Sequence, residues 1–257
     1  RQKHTVPALM THVVAGFPSG AESKQIVRMM DKSGADVIEI QIPFSDPVAD
    51  GPTMQRCNEL ALERGFKVAD AFAMARELSA EIAAPLLFMT YYNIIYKYGV
   101  ERFCQEAKAA GVQGVIVPDM PLEEELHEQF LAACRTHKLA WVPVISPLTT
   151  EARIAELSKH AGGFWYLVSR TGVTGARDTF SDETKEQIVN IKKYSDLPIA
   201  MAFGVSKPAH VAQIGRAASM AVVGSYIQDT FLQEETPFAK RLQEAQDKLE
   251  QLRHYEL

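Results

Sequence analysis

The sequence predicts a single (β/α)8 barrel, and three observations support this fold class. The chain has 257 residues, close to the usual size of one such barrel, about 250 residues. Short runs rich in β-branched residues recur eight times, and a longer segment with helical spacing of apolar residues separates successive runs. No linker rich in Pro, Gly or Ser divides the chain, so we expect residues 1–257 to form one domain.

The eight predicted strands alternate with predicted helices along the whole chain. Helical spacing is clear over Val100–Ala110, Glu123–Thr136 and Thr150–His160. This alternation predicts parallel strands joined by right-handed crossovers. A doubly wound open sheet is the alternative, but no G-x-G-x-x-G motif follows the first predicted strand. The predicted strands are Ala8–Val14, Val37–Ile42, Pro85–Met89, Gly114–Val117, Ala140–Val144, Phe164–Val168, Pro198–Ala202 and Met220–Val223.

Composition and charge exclude several classes of protein. The net charge of -5 argues against a nucleic-acid surface, which needs clustered Lys and Arg. No run of about 18 apolar residues is present, and the first residues lack an apolar signal core, so we expect a cytoplasmic protein. Cys57, Cys104 and Cys134 match neither a zinc spacing nor a disulfide framework, which predicts buried free thiols and no metal site.

The second predicted strand carries a carboxylate on its inward face. Ile38, Ile40 and Ile42 alternate with Glu39 and Gln41. Because alternate residues of a barrel strand face the interior, the isoleucines are predicted to face the helices and the two polar residues the barrel. Glu39 would then lie near the carboxyl-terminal mouth, where barrel active sites occur, and desolvation would raise its pKa. The alternative is a structural glutamate satisfied by neighbouring hydrogen bonds.

The loop after this strand supplies further acids. It contains Asp46 and Asp50, and two prolines and a glycine shape it. Asp50 could lie over the barrel mouth opposite Glu39. When two carboxyl groups have different environments, one can act as the acid and the other as the base. By spacing alone, Asp46 and Asp50 could equally be turn or cap residues.

Glycines follow the last three predicted strands. Gly204 and Gly224 end the seventh and eighth, and Ser225 opens a helix, which is the usual position of a phosphate site in such barrels. The sixth strand leads into a loop over residues 169–177 that contains Gly175 and is interpreted as a lid. Tight turns and an ordinary surface loop are the alternatives.

Two long segments and several short motifs of the chain match one known family of enzymes. The long segments are Pro43–Gln55, PFSDPVADGPTMQ, which follows GADVIEI, and SRTGVTG at residues 169–175. The shorter motifs are YYN, VPDMP, FGVS and GS. On these residues the chain resembles the family of tryptophan synthase α subunits over nearly its whole length, from about Ala8 onward. The first segment is the family's most diagnostic one, GADVIEI resembles its second strand, SRTGVTG resembles its mobile sixth loop, and the shorter motifs fall in family order.

The resemblance implies a lyase that cleaves indole-3-glycerol phosphate to indole and glyceraldehyde 3-phosphate. Glu39 matches the family's general acid/base, and Asp50 matches the carboxylate that stabilises positive charge on the indole nitrogen. Thr174 matches the loop residue that positions Asp50 on closure. The resemblance implies no metal or organic cofactor for this subunit. It also implies a β-subunit partner in an α2β2 complex, which holds the family's pyridoxal phosphate.

The resemblance also implies the residues that bind the small phosphorylated substrate. Tyr166, inward on the sixth strand, matches an indole-pocket residue. The phosphate cradle is matched by Gly175, Gly204, Gly224 and Ser225.

Several positions depart from the family pattern. Gln41 stands where the family usually has glycine, and His12 where it usually has an aromatic residue. Phe17 replaces the usual aspartate, and Ala202 a glycine. We expect Gln41 to narrow the pocket or to hydrogen-bond Glu39 and shift its pKa. Histidine can titrate near neutrality, but we expect His12 to be a packed neutral ring.

Three alternatives to a lyase that works in the α2β2 complex stay open. A stand-alone lyase would release free indole. A non-catalytic subunit would only activate its partner and would not need Glu39. A different phosphate-binding barrel isomerase or aldolase is the third, although an imine-forming aldolase needs an inward strand lysine, which the eight predicted strands lack.

Overall fold

The fold is a barrel of parallel strands wrapped by helices, as the sequence predicts. The computed structural model describes residues 7–120, 125–168 and 180–254. All strand pairs are parallel, in the order β5-β4-β3-β2-β1-β9-β8-β7-β6. The strands are β1 Ala8–Val14, β2 Val37–Gln41, β3 Leu86–Met89, β4 Gly114–Ile116, β5 Ala140–Val142, β6 Val144–Ile145, β7 Trp165–Val168, β8 Ile199–Ala202 and β9 Met220–Val223.

The structure differs from the prediction at the fifth strand, Ala140–Val144, which is divided into two short strands. Pro143 separates β5, which pairs with β4, from β6, which pairs with β7. Proline has no N–H to donate to a neighbouring strand, so regular pairing stops there. The Pro143 carbonyl still accepts a hydrogen bond from Tyr166 N at 3.0 Å. The two halves therefore close the circle of strands between β4 and β7.

Helices lie between successive strands, and local sequence fixes several of their starts. Ser19, Thr150 and Ser181 each cap a helix by accepting a hydrogen bond from a backbone N–H of the first turn. Pro52 and Pro208 occupy first-turn positions, where a missing N–H costs nothing. Within the described residues the helices are α1 Gly20–Lys32, α2 Pro52–Glu63, α3 Val68–Ser79, α4 Tyr92–Tyr98, α5 Val100–Ala109, α6 Glu125–Thr136, α7 Glu151–Ser158, α8 Asp182–Tyr194, α9 Pro208–Gly215, α10 Ser225–Phe231 and α11 Phe238–Arg253.

The apolar core forms two layers because strand residues alternate in direction. One layer lies between the strands and the helices and includes Ile38, Ile40 and Ile42, which are fully buried. The other fills the barrel interior, with side chains such as Met10 and Met89. The predicted division of the second strand is confirmed, since Glu39 and Gln41 are buried on the opposite face from the isoleucines. No helix in the described part of the chain is long and apolar enough to cross a membrane.

Candidate active site

A cavity of about 1140 Å³ opens at the carboxyl-terminal ends of the strands. Its walls combine apolar side chains of the barrel interior, among them Met89, Ile116 and Val222, with a small number of polar groups. The cavity brings together six of the residues predicted from the sequence: Glu39, Asp50, Tyr166, Gly204, Gly224 and Ser225. Predictions for Thr174, Gly175 and the loop that contains them lie outside the described residues.

Glu39 is the most deeply buried acid of this cavity, with 1% of its surface exposed. Burial raises its pKa to about 8, and the nearby negative charge of Asp50 adds to this effect. Tyr166 donates a hydrogen bond from its hydroxyl to Glu39 Oε2 at 3.3 Å, which favours the carboxylate and limits the rise. Glu39 therefore carries a proton over most of the neutral range.

His12 lies beside Glu39 on the neighbouring strand. The β1–β2 register pairs the two residues directly, and His12 Nδ1 lies 3.6 Å from Glu39 Oε2. Burial lowers the pKa of His12 to about 4, which supports the expected packed neutral ring. With His12 neutral and Glu39 protonated near pH 7, this contact joins two neutral groups and is not an ion pair.

Asp50 reaches the cavity from the loop between β2 and α2. Its backbone N–H donates to Pro47 O, and its carbonyl accepts a hydrogen bond from Gln55 Nε2 at 2.9 Å, so the loop is held at both ends of the residue. Partial burial raises the pKa of Asp50, while hydrogen bonds from Gln41 and Tyr91 oppose the rise. Asp50 is thus a half-buried carboxylate with donors directed at it.

Gln41 bonds to different partners from those expected. Its Nε2 donates to Asp50 Oδ2 at 2.6 Å, and its Oε1 lies 2.9 Å from His12 Nε2. The expected alternative of a hydrogen bond to Glu39 is not among the contacts of these described residues. Gln41 and Glu39 share one face of β2, but Gln41 lies one layer nearer the mouth and so reaches the loop instead.

Asn58 belongs to this site although sequence reasoning missed it. It is fully buried on α2, where Oδ1 accepts from Phe44 N at 3.0 Å and Nδ2 donates to Met54 O at 2.7 Å. Its Nδ2 also lies 3.4 Å from Asp50 Oδ2. The available signal was a polar residue in the apolar stripe of α2, at helical spacing from Met54 and Ala61.

The predicted phosphate residues lie at the ends of β8 and β9. Gly204 has φ +63°, a conformation that L side chains rarely adopt. Gly224 precedes the first turn of α10, which begins at Ser225. A Cβ added to Gly224 would lie 3.5 Å from His12 Cβ, so this glycine also packs against the histidine. Backbone N–H groups at the start of a helix favour an anion.

The side chains that line the cavity include groups that can transfer protons. Within residues 7–120, 125–168 and 180–254, no group of three or more His, Cys, Asp or Glu side chains could hold a metal ion. The three cysteines are free and buried, as predicted, and Cys57 has a pKa raised by burial to about 12. The titratable side chains that line the cavity are His12, Glu39, Asp50, Arg153 and Tyr166.

A parallel barrel with two carboxyl groups of different burial at its carboxyl-terminal mouth defines the class: a (β/α)8-barrel enzyme that works by acid/base chemistry. Comparison with known proteins narrows this class. The sequence model of the family "Tryptophan synthase alpha chain" matches residues 1–255. The tryptophan synthase alpha chain of Chloroflexus aurantiacus is 45% identical over 223 residues, which cover 86% of this chain and 83% of the relative. That of Methanosarcina mazei is 41% identical over 236 residues, covering 92% and 85%.

Solved structures agree with the sequence relatives. The tryptophan synthase A-subunit of Pyrococcus furiosus has a TM-score of 0.86 and 33% identity, covering 95% of this chain and 97% of that one. A Mycobacterium tuberculosis tryptophan synthase structure has a TM-score of 0.86 and 32% identity, covering 97% and 92%. The chain belongs to the tryptophan synthase alpha chain family. Its activity is that of a carbon–carbon lyase of tryptophan biosynthesis, which cleaves indole-3-glycerol phosphate.

Proposed function

We propose that Glu39 and Asp50 carry out this cleavage as a divided pair of carboxyl groups. The observation that supports the proposal is their unequal environment within one cavity. Glu39 is buried on a strand and has a pKa of about 8. Asp50 is half-buried on a loop and accepts a short hydrogen bond from Gln41. One group is thereby suited to give a proton and the other to remain an anion.

The proposed reaction begins when the protonated Glu39 gives its proton to C3 of the indole ring. The ring then carries positive charge at its nitrogen, and Asp50 stabilises that charge. Glu39, now a carboxylate, accepts the proton of the glycerol hydroxyl next to the scissile bond. The C–C bond breaks as its electron pair returns to the ring, which leaves indole and glyceraldehyde 3-phosphate. Each such proton transfer contributes roughly 10²–10⁴ in rate.

The remaining predicted residues would bind the substrate. Tyr166 lines the apolar part of the cavity and is the proposed contact for the indole ring. Backbone N–H groups at Gly204, Gly224 and Ser225 would bind the phosphate where β8 and β9 end. Thr174 and Gly175, which lie outside the described residues, are proposed to position Asp50 and to complete the phosphate cradle.

The assembly proposed for the chain is an α2β2 complex in the cytoplasm, with residues 1–257 as a single domain. Family membership supports a β-subunit partner, and the related Mycobacterium tuberculosis structures are of tryptophan synthase. In this assembly, indole released by the barrel passes to the β subunit. A stand-alone lyase is the competing possibility, and it needs no partner for full turnover.

The test is indole release from indole-3-glycerol phosphate by the wild type and by Glu39→Gln, each with and without a cognate β subunit. We expect the variant to lose activity by about 10² or more while it stays folded. Equal activity of the two proteins would refute the role of Glu39. Activation of the wild type by the β subunit supports the complex, whereas equal turnover alone would favour the stand-alone lyase. Partner activation that persists in an inactive wild type would indicate a binding subunit only.

A further inference from the structure

A continuous set of buried polar contacts joins the two carboxyl groups of the site. His12 Nδ1 lies 3.6 Å from Glu39 Oε2, and His12 Nε2 lies 2.9 Å from Gln41 Oε1. Gln41 Nε2 in turn donates to Asp50 Oδ2 at 2.6 Å. His12 and Gln41 are 7% and 0% exposed, so both side chains are largely withdrawn from water. We call His12 and Gln41 the bridge.

The direction of the hydrogen bonds in the bridge is set by the backbone. Phe44 N–H is a fixed donor and Met54 O a fixed acceptor, and together they orient the amide of Asn58 with Oδ1 toward Phe44. The same Oδ1 lies 3.4 Å from Gln41 Nε2, which must therefore be the amide nitrogen. Asp50, an acceptor when ionised, requires the same orientation.

This orientation fixes the tautomer of His12. Because Gln41 Oε1 can only accept, His12 must donate from Nε2. The neutral ring then has a lone pair on Nδ1, which faces Glu39. The separation of 3.6 Å is longer than a hydrogen bond, but a lone pair that faces Glu39 repels a carboxylate and tolerates a carboxylic acid. The bridge thus favours the state in which Glu39 holds its proton and Asp50 does not.

We propose that His12 and Gln41 are positioning residues for the cleavage reaction, which hold Asp50 as the anion and keep Glu39 in its protonated form beside the cavity. The inference rests on the proposed roles of these two carboxyl groups. His12 touches neither reacting centre in the proposed reaction and acts through Gln41 and Glu39. Gln41 acts through Asp50. The other titratable groups that face Asp50 are Glu39 of β2, Tyr166 of β7, Tyr91 of the loop after β3 and Cys57 of α2.

The first test is the pH profile of Gln41→Met, which keeps length and burial but removes both polar atoms. We expect kcat to fall about three- to tenfold, the range of one ordinary hydrogen bond and no more than the loss expected when Asp50 itself is neutralised. KM should change less than about threefold, because the lost contact acts on charge that develops during the reaction. The acid limb of the kcat profile should move to higher pH, because Gln41 favours the carboxylate of Asp50.

The matched control is Gln187→Met. Gln187 is also buried, and its Nε2 donates to the backbone carbonyls of Pro147 and Thr149. This variant loses similar polar contacts without touching the bridge, so its acid limb should stay in place. An acid limb of Gln41→Met that also stays at the wild-type pH would overturn the proposal.

A double-mutant cycle covers the case in which a single variant folds poorly. His12→Phe removes the hydrogen-bond partner of Gln41 Oε1, and Gln41→Met removes the partner of His12 Nε2. The double variant contains neither of these atoms, so neither is left unpaired. The double variant should therefore lose less activity and stability than the two single changes combined. Additive losses would contradict a bridge.

Nitrogen NMR of the His12 ring tests the bridge independently of activity. We expect the Nε2-protonated tautomer at neutral pH, with loss of that preference in Gln41→Met. An Nδ1-protonated ring would refute the bridge even in an active enzyme. Conversely, the expected tautomer in a wild type without lyase turnover would leave the bridge intact and refute the catalytic roles proposed above.

Discussion

The strand-borne Glu39 and the loop-borne Asp50 show two ways in which one barrel places a carboxyl group. Glu39 is part of a parallel ladder on both sides, and its position follows from the register of β1, β2 and β3. Asp50 is held by separate hydrogen bonds from loop and side-chain groups, among them Gln41 and Gln55. The first placement is rigid and desolvating, while the second is adjustable and partly open to water. The comparison indicates that one cavity can hold a protonated acid and an anion when a strand carries the acid and a loop carries the anion.

The largest effect expected from this comparison is for Glu39→Asp. The shorter side chain withdraws its carboxyl group by about one carbon–carbon bond, and the rigid strand cannot follow. A misplacement of about 1 Å can cost about 10² in rate, so we expect a fall in kcat of that order. Steady-state assays of indole release measure it, with circular dichroism as the folding control. A fall of less than threefold would show that Glu39 is not held as rigidly as proposed.

Asp50→Asn should have a smaller effect. The half-buried loop position is screened by water, so the lost charge weighs less than in a fully enclosed site. We expect kcat to fall about tenfold, below the 10²–10³ typical of an enclosed electrostatic contact. The acid limb of the pH profile should disappear, since its titrating group is gone. A larger fall in kcat for Asp50→Asn than for Glu39→Asp would contradict this comparison of the strand position with the loop position.

Tyr166→Phe should act mainly on the pH dependence. The Tyr166 hydroxyl donates to Glu39 and holds the pKa of that acid below the value that burial alone would give. Its loss should raise the pKa of Glu39 above about 8, so the basic limb of kcat moves to higher pH. Loss of one neutral hydrogen bond predicts a change in kcat of less than about tenfold. A basic limb that moves to lower pH would contradict this assignment.

The smallest expected effect is on stability and distinguishes the two positions without an activity assay. Between the unfolded pKa near 4.3 and the folded value of about 8, folded Glu39 binds a proton that the unfolded chain has lost. Stability contributed by this site therefore falls as pH rises through that window. Glu39→Gln removes the dependence, so its Tm should exceed the wild-type Tm more at about pH 8.5 than at about pH 5. Each kcal/mol corresponds to about 2–4 °C for a protein near this size, measurable by calorimetry. Equal differences at both pH values would contradict the raised pKa.

Sequence pattern predicts the regular parts of this molecule well and the contacts between them less well. Alternation along Val37–Gln41 locates the acid and its direction, because side chains of a strand alternate whatever the surroundings. Three errors in the predicted strands occur at prolines. Pro85 and Pro198 lie just before β3 and β8, although the sequence predicts that these strands begin with them, and Pro143 divides the predicted fifth strand. The lack of an N–H is visible in the sequence, but its effect depends on the neighbouring strand.

The partners of Gln41 could not be read from the sequence. Its bond to Asp50 depends on how the loop over residues 43–51 folds back, and that path is fixed by contacts with Tyr91 and Asn58 from other elements. The sequence identifies Gln41 as a departure from the family pattern but does not show which side chain it hydrogen-bonds. Contacts between a strand and a distant loop are set by packing, which spacing does not encode.

The alternation of β2 also governs which genetic changes the site can survive. A substitution at Ile40 alters one contact of the outer layer. Deletion of a single codon upstream in the same strand would instead turn every later side chain to the opposite face. Isoleucines would then line the cavity, and Glu39 would lie in the apolar layer between the strands and the helices. We therefore expect related sequences to differ in this strand by substitutions and not by insertions or deletions.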